Sequence, residues 1–484
     1  MNSSNISKRK ILGDSVWFGV VPKLSIVITV IIMPYITPFL TSIDYGIWGI
    51  ITSYSGLFTA FSTMGLQIHL TNTYYEYPNN YSMYWGKLHL LILLSNAFCA
   101  IILFFILYYL LKDQLDVSHR IVVACLGTFP ILFYSGPFIA NHFYVLIGKP
   151  RTYVLRNLLS SVLGIIVLFI FVYYLRLGYL GYVFSTATVS FVAFGLFFKT
   201  IWFDKGFYPI LEKNRTVIKQ WLKIAAPLIP HTLGFVLLSS SSRLIMSWLG
   251  ISFKEIGYFS NGYSMGDYIT IVASSIAMAI VPYMQIAYRD KNFSRYRSLF
   301  YFSQLIVLVA VFLFSIWLPE IYKILVRNED LQQCASIASY TCFANVFYPL
   351  YVFVSTIAFI EKRTGLLLYL VFIPAIINIL LCLIFIPVYG YKVAIVSTMI
   401  SYWSQLFIPF FVKYFNVKTK QWLGSLNKLL ILLLLGASLV ISANFLAFSC
   451  FSIKIMLTIL LLLVVFLIPK RYLSLIHISE PTRP

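Results

Sequence analysis

Long, uninterrupted apolar runs recur along the whole chain. Each covers about 20 residues, the length at which a helix crosses a hydrocarbon core of roughly 30 Å. The strands of a membrane barrel would alternate apolar and polar residues, and these runs do not, so the pattern predicts helices. Fourteen spans are predicted, at 15–37, 45–67, 88–111, 121–147, 153–175, 178–200, 223–249, 257–286, 299–319, 335–360, 365–387, 390–413, 427–449 and 453–469.

Composition and charge support an all-α polytopic membrane protein. The 484 residues are 60% hydrophobic and 11% charged, which a water-soluble domain of this length does not reach. The formal net charge is +21, and most of the basic residues fall in loops on the side that carries Lys8, Arg9 and Lys10. This bias marks the cytoplasmic side of a membrane. Nucleic acid is not a predicted partner, because no predicted loop is large enough to form a soluble basic domain.

An internal repeat divides the chain. The segment "RTYVLRNLL" from Arg151 aligns without a gap with "RTGLLLYLV" from Arg363, and in the same alignment the "GY" at 178 falls on the "GY" at 390. With nearly the same shift, the motif "DYGIWG" at 44–49 falls on "EIGYFS" at 255–260, and "VPKL" at 21–24 matches "IPHT" at 229–232. Repeats with an even number of spans share one orientation and are related by an axis along the membrane normal.

The repeat predicts the domain organisation. We expect an N-terminal six-helix lobe at 1–205, a basic cytoplasmic linker at 206–222, a C-terminal six-helix lobe at 223–415 and two additional helices at 416–472. The working site of such an arrangement is expected between the lobes, near the middle of the membrane. Residues 473–484 resemble a translated sequencing adapter, and we set them aside as an artefact of the sequence.

The candidate chemistry rests on ionisable residues inside the spans. The chain has no nucleophile elbow, no HExxH motif and no Walker loop, so no catalytic residue, metal or cofactor is predicted. A charged side chain at the centre of a span costs about 2.5–3.5 kcal/mol, which makes each one a functional candidate. Arg243 follows "SSSS" in the seventh span. Its guanidinium suits a phosphate group, and the alternative is an arginine that snorkels or forms a salt bridge.

Three further residues are candidates. Lys23 and His231 each follow a proline and occupy matching places in the two repeats, so they are predicted to bind the same anionic substrate as Arg243. The alternatives are an interfacial lysine and a neutral, hydrogen-bonded histidine. Asp267, in the eighth span, is the acidic residue that lies well inside an apolar stretch. We expect it either to couple transport to protons or sodium or to form an ion pair with Arg243 or Lys23.

Several segments resemble a known family. "DYGIWGIITSYSGLFTAFSTMGLQ", "SRLIMSWLGISFKEIGYFSNGYSMGD" and "INILLCLIFIPVYGYKVAIVST" are similar to the polysaccharide transporters (O-antigen flippases, Wzx-type) of the multidrug, oligosaccharidyl-lipid and polysaccharide exporter superfamily. The resemblance covers about residues 10–470. The family often has Asp-Arg where this chain has Ser242-Arg243, so an acidic neighbour of Arg243 is missing here.

The resemblance implies a V-shaped, MATE-like pair of six-helix bundles and an alternating-access mechanism. It also implies that the chain moves an undecaprenyl-diphosphate-linked oligosaccharide, such as an O-antigen or capsule repeat unit, to the periplasmic leaflet of a bacterial inner membrane. The implied partners are this lipid-linked oligosaccharide, membrane lipids and other polysaccharide-assembly proteins. Alternatives are a small-solute or drug antiporter, a flippase for peptidoglycan precursors, and a membrane glycan polymerase or ligase, although the short predicted outer loops argue against an enzyme of the last type.

Overall fold

The predicted fold class is confirmed by a computed structural model, which describes residues 21–424, 427–447 and 451–463. These residues are helical with no strand among them. Eleven helical stretches in this part of the chain are long and apolar enough to cross a membrane. The other three predicted spans are also helical where described, at Ser42–Ser62, Asn427–Leu446 and Phe451–Leu463. Lys8, Arg9, Lys10 and the tail at 473–484 lie outside the described residues.

The α-helices of more than four residues are numbered along the chain. The first ten are α1 (Leu24–Ile36), α2 (Ser42–Ser62), α3 (Gln67–Glu76), α4 (Tyr81–Leu110), α5 (Val117–Gly127), α6 (Ser135–Leu146), α7 (Pro150–Phe169), α8 (Tyr179–Lys199), α9 (Arg215–Ala225) and α10 (Ile229–Trp248). The remaining ten are α11 (Phe253–Asp267), α12 (Ile269–Arg289), α13 (Phe293–Leu325), α14 (Ala335–Ala344), α15 (Tyr348–Ile360), α16 (Leu367–Tyr389), α17 (Val393–Trp403), α18 (Lys413–Leu423), α19 (Asn427–Leu446) and α20 (Phe451–Leu463).

The outer surface is apolar, as expected of a multi-pass membrane protein. On α4, large side chains that are more than half exposed recur every three or four residues and form one face of the helix. The opposite face of α4 is buried, with Ile92, Leu103 and Leu107 inaccessible. A contiguous apolar stripe of this length would be unstable in water and is stable against lipid. The exposed side chains of the stripe are Leu94, Phe98, Ile101, Phe105 and Tyr109.

Contacts between Cα atoms divide the chain into two compact units. The first unit comprises residues 1–257 and 325–330, and the second comprises 258–324 and 331–484. In the first unit α10 packs along α2, α8 packs along α7, and α1 also lies against α7. In the second unit α17 packs against α14 and α16, and α12 packs against α15. The domain ranges expected from the repeat, with their boundary at the linker 206–222, stay a prediction.

The repeat is visible in how two equivalent helices begin. Helix α2 starts with a capping box, in which the backbone N–H of Asp44 donates to Oγ1 of Thr41 and the backbone N–H of Thr41 donates to the Asp44 carboxylate. At the equivalent place in the second repeat, Oγ of Ser252 accepts from the backbone N–H of Glu255 and donates to its carboxylate. Each cap satisfies backbone donors that the first turn of a helix leaves open. The same local chemistry therefore starts the second span of each repeat.

Two glycines let these helix starts approach each other within the first unit. Gly46 and Gly257 are equivalent in the alignment that places Asp44 on Glu255. A Cβ on Gly257 would lie 1.6 Å from the carbonyl oxygen of Ser42, and a Cβ on Gly46 would lie 2.0 Å from the carbonyl oxygen of Phe253. No side chain fits in these gaps, because real Cβ contacts do not come below 3.0 Å. Backbone contact between α2 and the start of α11 thus depends on both glycines.

The segment predicted as a basic linker is packed onto the first unit. The backbone N–H of Ile210 donates to the carbonyl oxygen of Gly86 at 3.0 Å, and Nδ1 of His89 donates to the carbonyl oxygen of Phe207 at 2.6 Å. The ammonium of Lys87 pairs with Glu212 at 2.7 Å, which lowers the pKa of that carboxyl below its ordinary value. These contacts hold the segment that leads to α9 against α4.

Candidate functional site

The first unit contains an open cavity of about 570 Å³. This volume lies in the range of roughly 300–1,000 Å³ that is typical of small-molecule sites. Helices α2, α6, α8 and α10, together with the start of α3 and the turn before α6, supply its walls. The residues that line it are Thr52, Ser55, Gly56, Thr59, Ala60, Thr63, Gln67, Pro130, Tyr134, Phe138, Thr186, Thr232, Phe235 and Val236.

Serine and threonine hydroxyls dominate the polar part of this lining, and their hydrogens already form hydrogen bonds within the protein. Thr59 Oγ1 donates to the carbonyl oxygen of Ser55 at 2.7 Å, and Thr186 Oγ1 donates to that of Tyr182 at 2.8 Å. Thr52, Ser55, Thr63 and Thr232 donate to backbone carbonyls in the same way. A hydroxyl has one hydrogen and two lone pairs. The cavity therefore presents oxygen acceptors, which suit a ligand rich in O–H donors.

No Asp, Glu, Lys, Arg or His occurs among the described residues that line the cavity. One amide does: Oε1 of Gln67 is buried and has no hydrogen-bond partner among the described residues. An acceptor left unsatisfied costs about 1–3 kcal/mol, so a donor from a ligand would relieve it. A sugar hydroxyl would therefore find an acceptor on this wall, both at Gln67 and at the serine and threonine oxygens.

Arg243 lies on the same face of α10 as the cavity residues Thr232 and Val236. The spacing of seven residues from Val236 is two helical turns, or about 10 Å. The side chain folds back toward the helix N-terminus, as long side chains in helices do, and Nη2 donates to the carbonyl oxygen of Ser239 at 3.1 Å. Arg243 is only 8% exposed. The guanidinium is therefore buried, at the end of α10 away from His231.

Lys23 and His231 lie elsewhere. His231 begins α10, with its ring 5.3 Å from that of Phe235, and its Nε2 is buried without a hydrogen-bond partner among the described residues. Twelve residues separate it from Arg243, or about 18 Å along the helix axis. Lys23 closes a 3-10 turn, Val21–Lys23, that contacts α7. Because His231 and Arg243 are so far apart, one diphosphate cannot contact both at once, and their shared role stays a prediction.

Asp267 is the last residue of α11, in the second unit, and it is partly buried. Its carbonyl oxygen accepts from Oγ1 of Thr270 at 2.7 Å. The alignment that places Glu255 on Asp44 also places Asp267 on Gly56, and Thr270 on Thr59. Gly56 and Thr59 both line the cavity of the first unit. Asp267 thus occupies the position in the second repeat that corresponds to the cavity wall in the first.

The hydroxyls of α2 were not among the predicted site residues, although the sequence carries a signal for them. Thr52, Ser55, Thr59 and Thr63 follow one another at intervals of three, four and four residues, which places them on one face of a helix. We call these four the hydroxyl stripe. Serine and threonine are common in membrane helices, where they bond to the preceding turn. The stripe is recognisable as a wall only because Thr186 and Thr232 face the same cavity.

Solved structures of membrane transporters share the fold of this chain. The lipid II flippase MurJ in an inward closed conformation superimposes with a TM-score of 0.69 at 15% identity, covering 96% of this chain and 100% of that one. An inward-facing multidrug-resistance MATE family transporter of the MOP superfamily gives 0.61 at 14% identity, covering 90% and 98%. A MOP superfamily transporter from Pyrococcus furiosus gives 0.52 at 12% identity, covering 92% and 100%. These likenesses establish the fold of the chain.

The family is narrower than the fold. The model of the family described as "Polysaccharide biosynthesis protein" matches residues 12–287, more than half of the chain. The chain therefore belongs to the polysaccharide biosynthesis protein family, and the resemblance seen in its sequence motifs is confirmed. No curated protein sequence matches this chain closely enough to count as a relative.

Proposed function

We propose that the protein is a flippase that carries an undecaprenyl-diphosphate-linked oligosaccharide, such as an O-antigen or capsule repeat unit, from the cytoplasmic to the periplasmic leaflet of a bacterial inner membrane. The N-terminus lies in the cytoplasm in this proposal. The family and the MurJ-like fold support a transporter of lipid-linked material. They give less support to a glycan polymerase or ligase.

The cavity of the first unit is the observation that carries the proposal. A glycan brings many O–H donors and few apolar surfaces, and it needs acceptors that replace water. The six hydroxyls whose hydrogens bond to backbone carbonyls supply such acceptors. Tyr134, Phe138 and Phe235 add ring surfaces at the same wall, against which the C–H faces of sugars can pack. A cavity for a lipophilic cation would instead combine an apolar wall with a carboxylate.

The basic residues take separate places along the path. Lys23 and His231 lie toward the predicted cytoplasmic ends of their spans, and Arg243 lies near the predicted outer end of α10. Because His231 and Arg243 are about 18 Å apart along α10, they act in succession on the diphosphate rather than together. Binding at each place stays weak enough for release, as transport requires.

Asp267 supports either ion coupling or the second candidate function. A carboxylate in a membrane helix is the group that proton- and sodium-driven transporters use. A small-solute or drug antiporter would place this carboxylate against a cationic substrate. The cavity with acceptors and without charge favours the flippase, and Asp267 then serves in coupling only.

The proposal is tested in a strain that lacks its own surface-polysaccharide flippase, complemented by residues 1–472. Surface glycan is compared between the wild type, Arg243→Ala, Arg243→Lys, Asp267→Asn and, as a matched control, Arg289→Ala. Arg289 is 77% exposed at its side chain. We expect the wild type and Arg289→Ala to restore surface glycan and Arg243→Ala to abolish it. Asp267→Asn should remove the dependence of transport on a proton or sodium gradient.

Each other outcome has a defined meaning. If Arg243→Ala restores surface glycan at a matched protein level, Arg243 has a structural role only. If Asp267→Asn leaves the gradient dependence unchanged, it is not the coupling group. If the wild type fails in several glycan backgrounds but exports cationic dyes, the flippase proposal is wrong and the antiporter is correct.

A further inference from the structure

Helices α9 and α18 share a second internal repeat. Both contain Lys-Gln-Trp-Leu, at 219–222 in α9 and at 420–423 in α18. Each helix follows the sixth predicted span of its repeat, on the predicted cytoplasmic side. The number of residues between the two Lys-Gln-Trp-Leu motifs is smaller than the number between equivalent spans of the two repeats. An alignment of the spans therefore does not place one motif on the other.

In both units the tryptophan of this motif is the docking residue. Nε2 of His69, on α3, donates to the carbonyl oxygen of Trp221 at 2.8 Å, and the two rings lie 6.2 Å apart. In the second unit Trp422 is buried and stacks on Tyr288, with ring centroids 4.5 Å apart and planes 18° from parallel. Each helix is thereby attached by its apolar face to the second-span region of its own unit.

The opposite face of α9 carries a basic stripe. Arg215, Lys219 and Lys223 follow at intervals of four residues and are all exposed, so they lie along one line of the helix surface. In the part of the chain that the structure describes, none of the three belongs to an ion pair. Ile224, beside the stripe, is 52% exposed. A positive face bordered by an exposed apolar residue is typical of a helix at a membrane interface.

Helix α9 is joined to membrane spans at both ends. It ends at Ala225, and only the 3-10 turn Ala226–Leu228 separates it from α10. Its beginning is held by the packed segment that contains Phe207 and Ile210. These connections keep the basic stripe within a few turns of the place where α10 enters the membrane. We propose that the basic stripe of α9 binds the headgroups of anionic phospholipids at the membrane surface.

The length and charge of the basic stripe indicate which phosphate-bearing lipid it binds. The stripe extends about 12 Å from Arg215 to Lys223, longer than a single diphosphate, so it matches neighbouring headgroups of a lipid surface rather than one transported molecule. Each basic residue near an anionic surface contributes about 1 kcal/mol, or roughly fivefold in affinity. Three residues together correspond to roughly 100-fold.

The test is a lipid titration of the purified full chain in detergent. Dioctanoyl phosphatidylglycerol, which is anionic, is compared with dioctanoyl phosphatidylcholine, and binding is measured as the rise in Tm that a ligand of the folded state produces. We expect stabilisation by phosphatidylglycerol that weakens at high salt. In the triple variant R215Q/K219Q/K223Q, the concentration for half-maximal stabilisation should rise by at least tenfold, while the Tm without lipid stays unchanged.

The matched control is K413Q/K420Q, which removes exposed lysines from α18. It should leave the phosphatidylglycerol titration as in the wild type, and the charge-preserving variant K219R/K223R should do the same. An unchanged titration in the triple variant would overturn the proposal, and so would equal stabilisation by phosphatidylcholine. If undecaprenyl diphosphate stabilises through the stripe and phosphatidylglycerol does not, the stripe captures substrate instead, which also overturns it.

Discussion

Helices α9 and α18 show how two copies of one motif come to differ. Both attach a tryptophan to their own unit and both carry basic residues. On α18, however, Lys418 donates to Glu361, and the same carboxylate accepts from the hydroxyls of Tyr288 and Tyr414. On α9 no acid faces the basic stripe in the described structure. A lysine beside the motif of α18 is thus paired within the protein, whereas the basic stripe of α9 belongs to no ion pair in the described part of the chain and is left for an external anion.

The walls equivalent to the hydroxyl stripe differ in a similar way. In the first unit α2 offers hydroxyl oxygens and no charge to the cavity. In the second unit the positions equivalent to the stripe are Tyr263, Gly266, Thr270 and Ser274, and the carboxylate of Asp267 stands at the position of the cavity residue Gly56. The two repeats begin these spans with the same cap and an equivalent glycine. The walls therefore differ in their side chains and not in how the helix backbones begin. The repeated helix arrangement therefore carries different polar side chains in the two units.

The largest expected effect on stability comes from the glycines at the helix starts, which the two repeats share. Gly257→Ala places a methyl group 1.6 Å from the carbonyl oxygen of Ser42, and the backbone has to separate. Overpacking of this kind costs about 3 kcal/mol or more. We expect little monodisperse protein after detergent extraction and a strongly lowered Tm.

Two comparisons sharpen this prediction. Gly46→Ala should have the same effect, because its added Cβ would lie 2.0 Å from the carbonyl oxygen of Phe253. Gly195→Ala should be neutral or stabilising, since it lies in a helix with nothing within 4 Å of the added Cβ. If Gly257→Ala is tolerated while Gly46→Ala is not, the two helix starts are not equivalent.

The second prediction tests whether the hydroxyl stripe of α2 and the equivalent positions in the second unit have different roles. Thr59→Val with Thr63→Val keeps the side-chain shape and removes two acceptor oxygens from the cavity. Each lost hydrogen bond is worth about 1 kcal/mol, so two of them together correspond to surface glycan forming about thirtyfold more slowly in the complementation assay.

Two controls test whether the effect of the α2 substitutions is specific to the cavity. Thr29→Val removes the same kind of backbone hydrogen bond, to the carbonyl oxygen of Ser25, on a helix that does not line the cavity, and it should have no effect. Thr270→Val with Ser274→Ala should have a smaller effect than the α2 pair. Equal losses would contradict a division of roles between the two walls.

The smallest expected effect on stability comes from Glu361, whose carboxylate attaches α18 to the second unit. Burial raises the pKa of Glu361, but the hydrogen bonds from Lys418, Tyr288 and Tyr414 outweigh it, and the pKa lies below its ordinary value of 4.5. A carboxylate with a lowered pKa stabilises the folded state above pH 4.5 and loses this contribution as the pH falls through the folded-state pKa. We expect Glu361→Gln to cost about 1–3 kcal/mol at pH 7.

The measurement is the Tm of the wild type and of Glu361→Gln from pH 7 downward. The difference should be constant above pH 4.5 and should shrink below it. Glu212→Gln is the matched control in the first unit, where Lys87 is the cationic partner and no tyrosine contributes, so its effect should be smaller. A Tm difference for Glu361→Gln that does not change with pH would contradict a role for the charge.

The sequence alone determined the helical spans, the membrane class, the family and the internal repeat. These properties are local, because the length of an apolar run decides whether it crosses a membrane and a capping box such as Thr41 with Asp44 acts within one turn. It also indicated Arg243 and Asp267, since a charge inside an apolar run is costly wherever the helix packs.

Only the tertiary structure decided which faces meet. The cavity requires α2, α6, α8 and α10 to converge, and no residue spacing shows that Thr186 faces Thr59. The approach of Gly46 to Gly257, the joining of Glu361 to Lys418 and the outward direction of the stripe on α9 depend on contacts between distant segments. Such contacts arise from packing, which apolar helices of similar composition allow in many combinations.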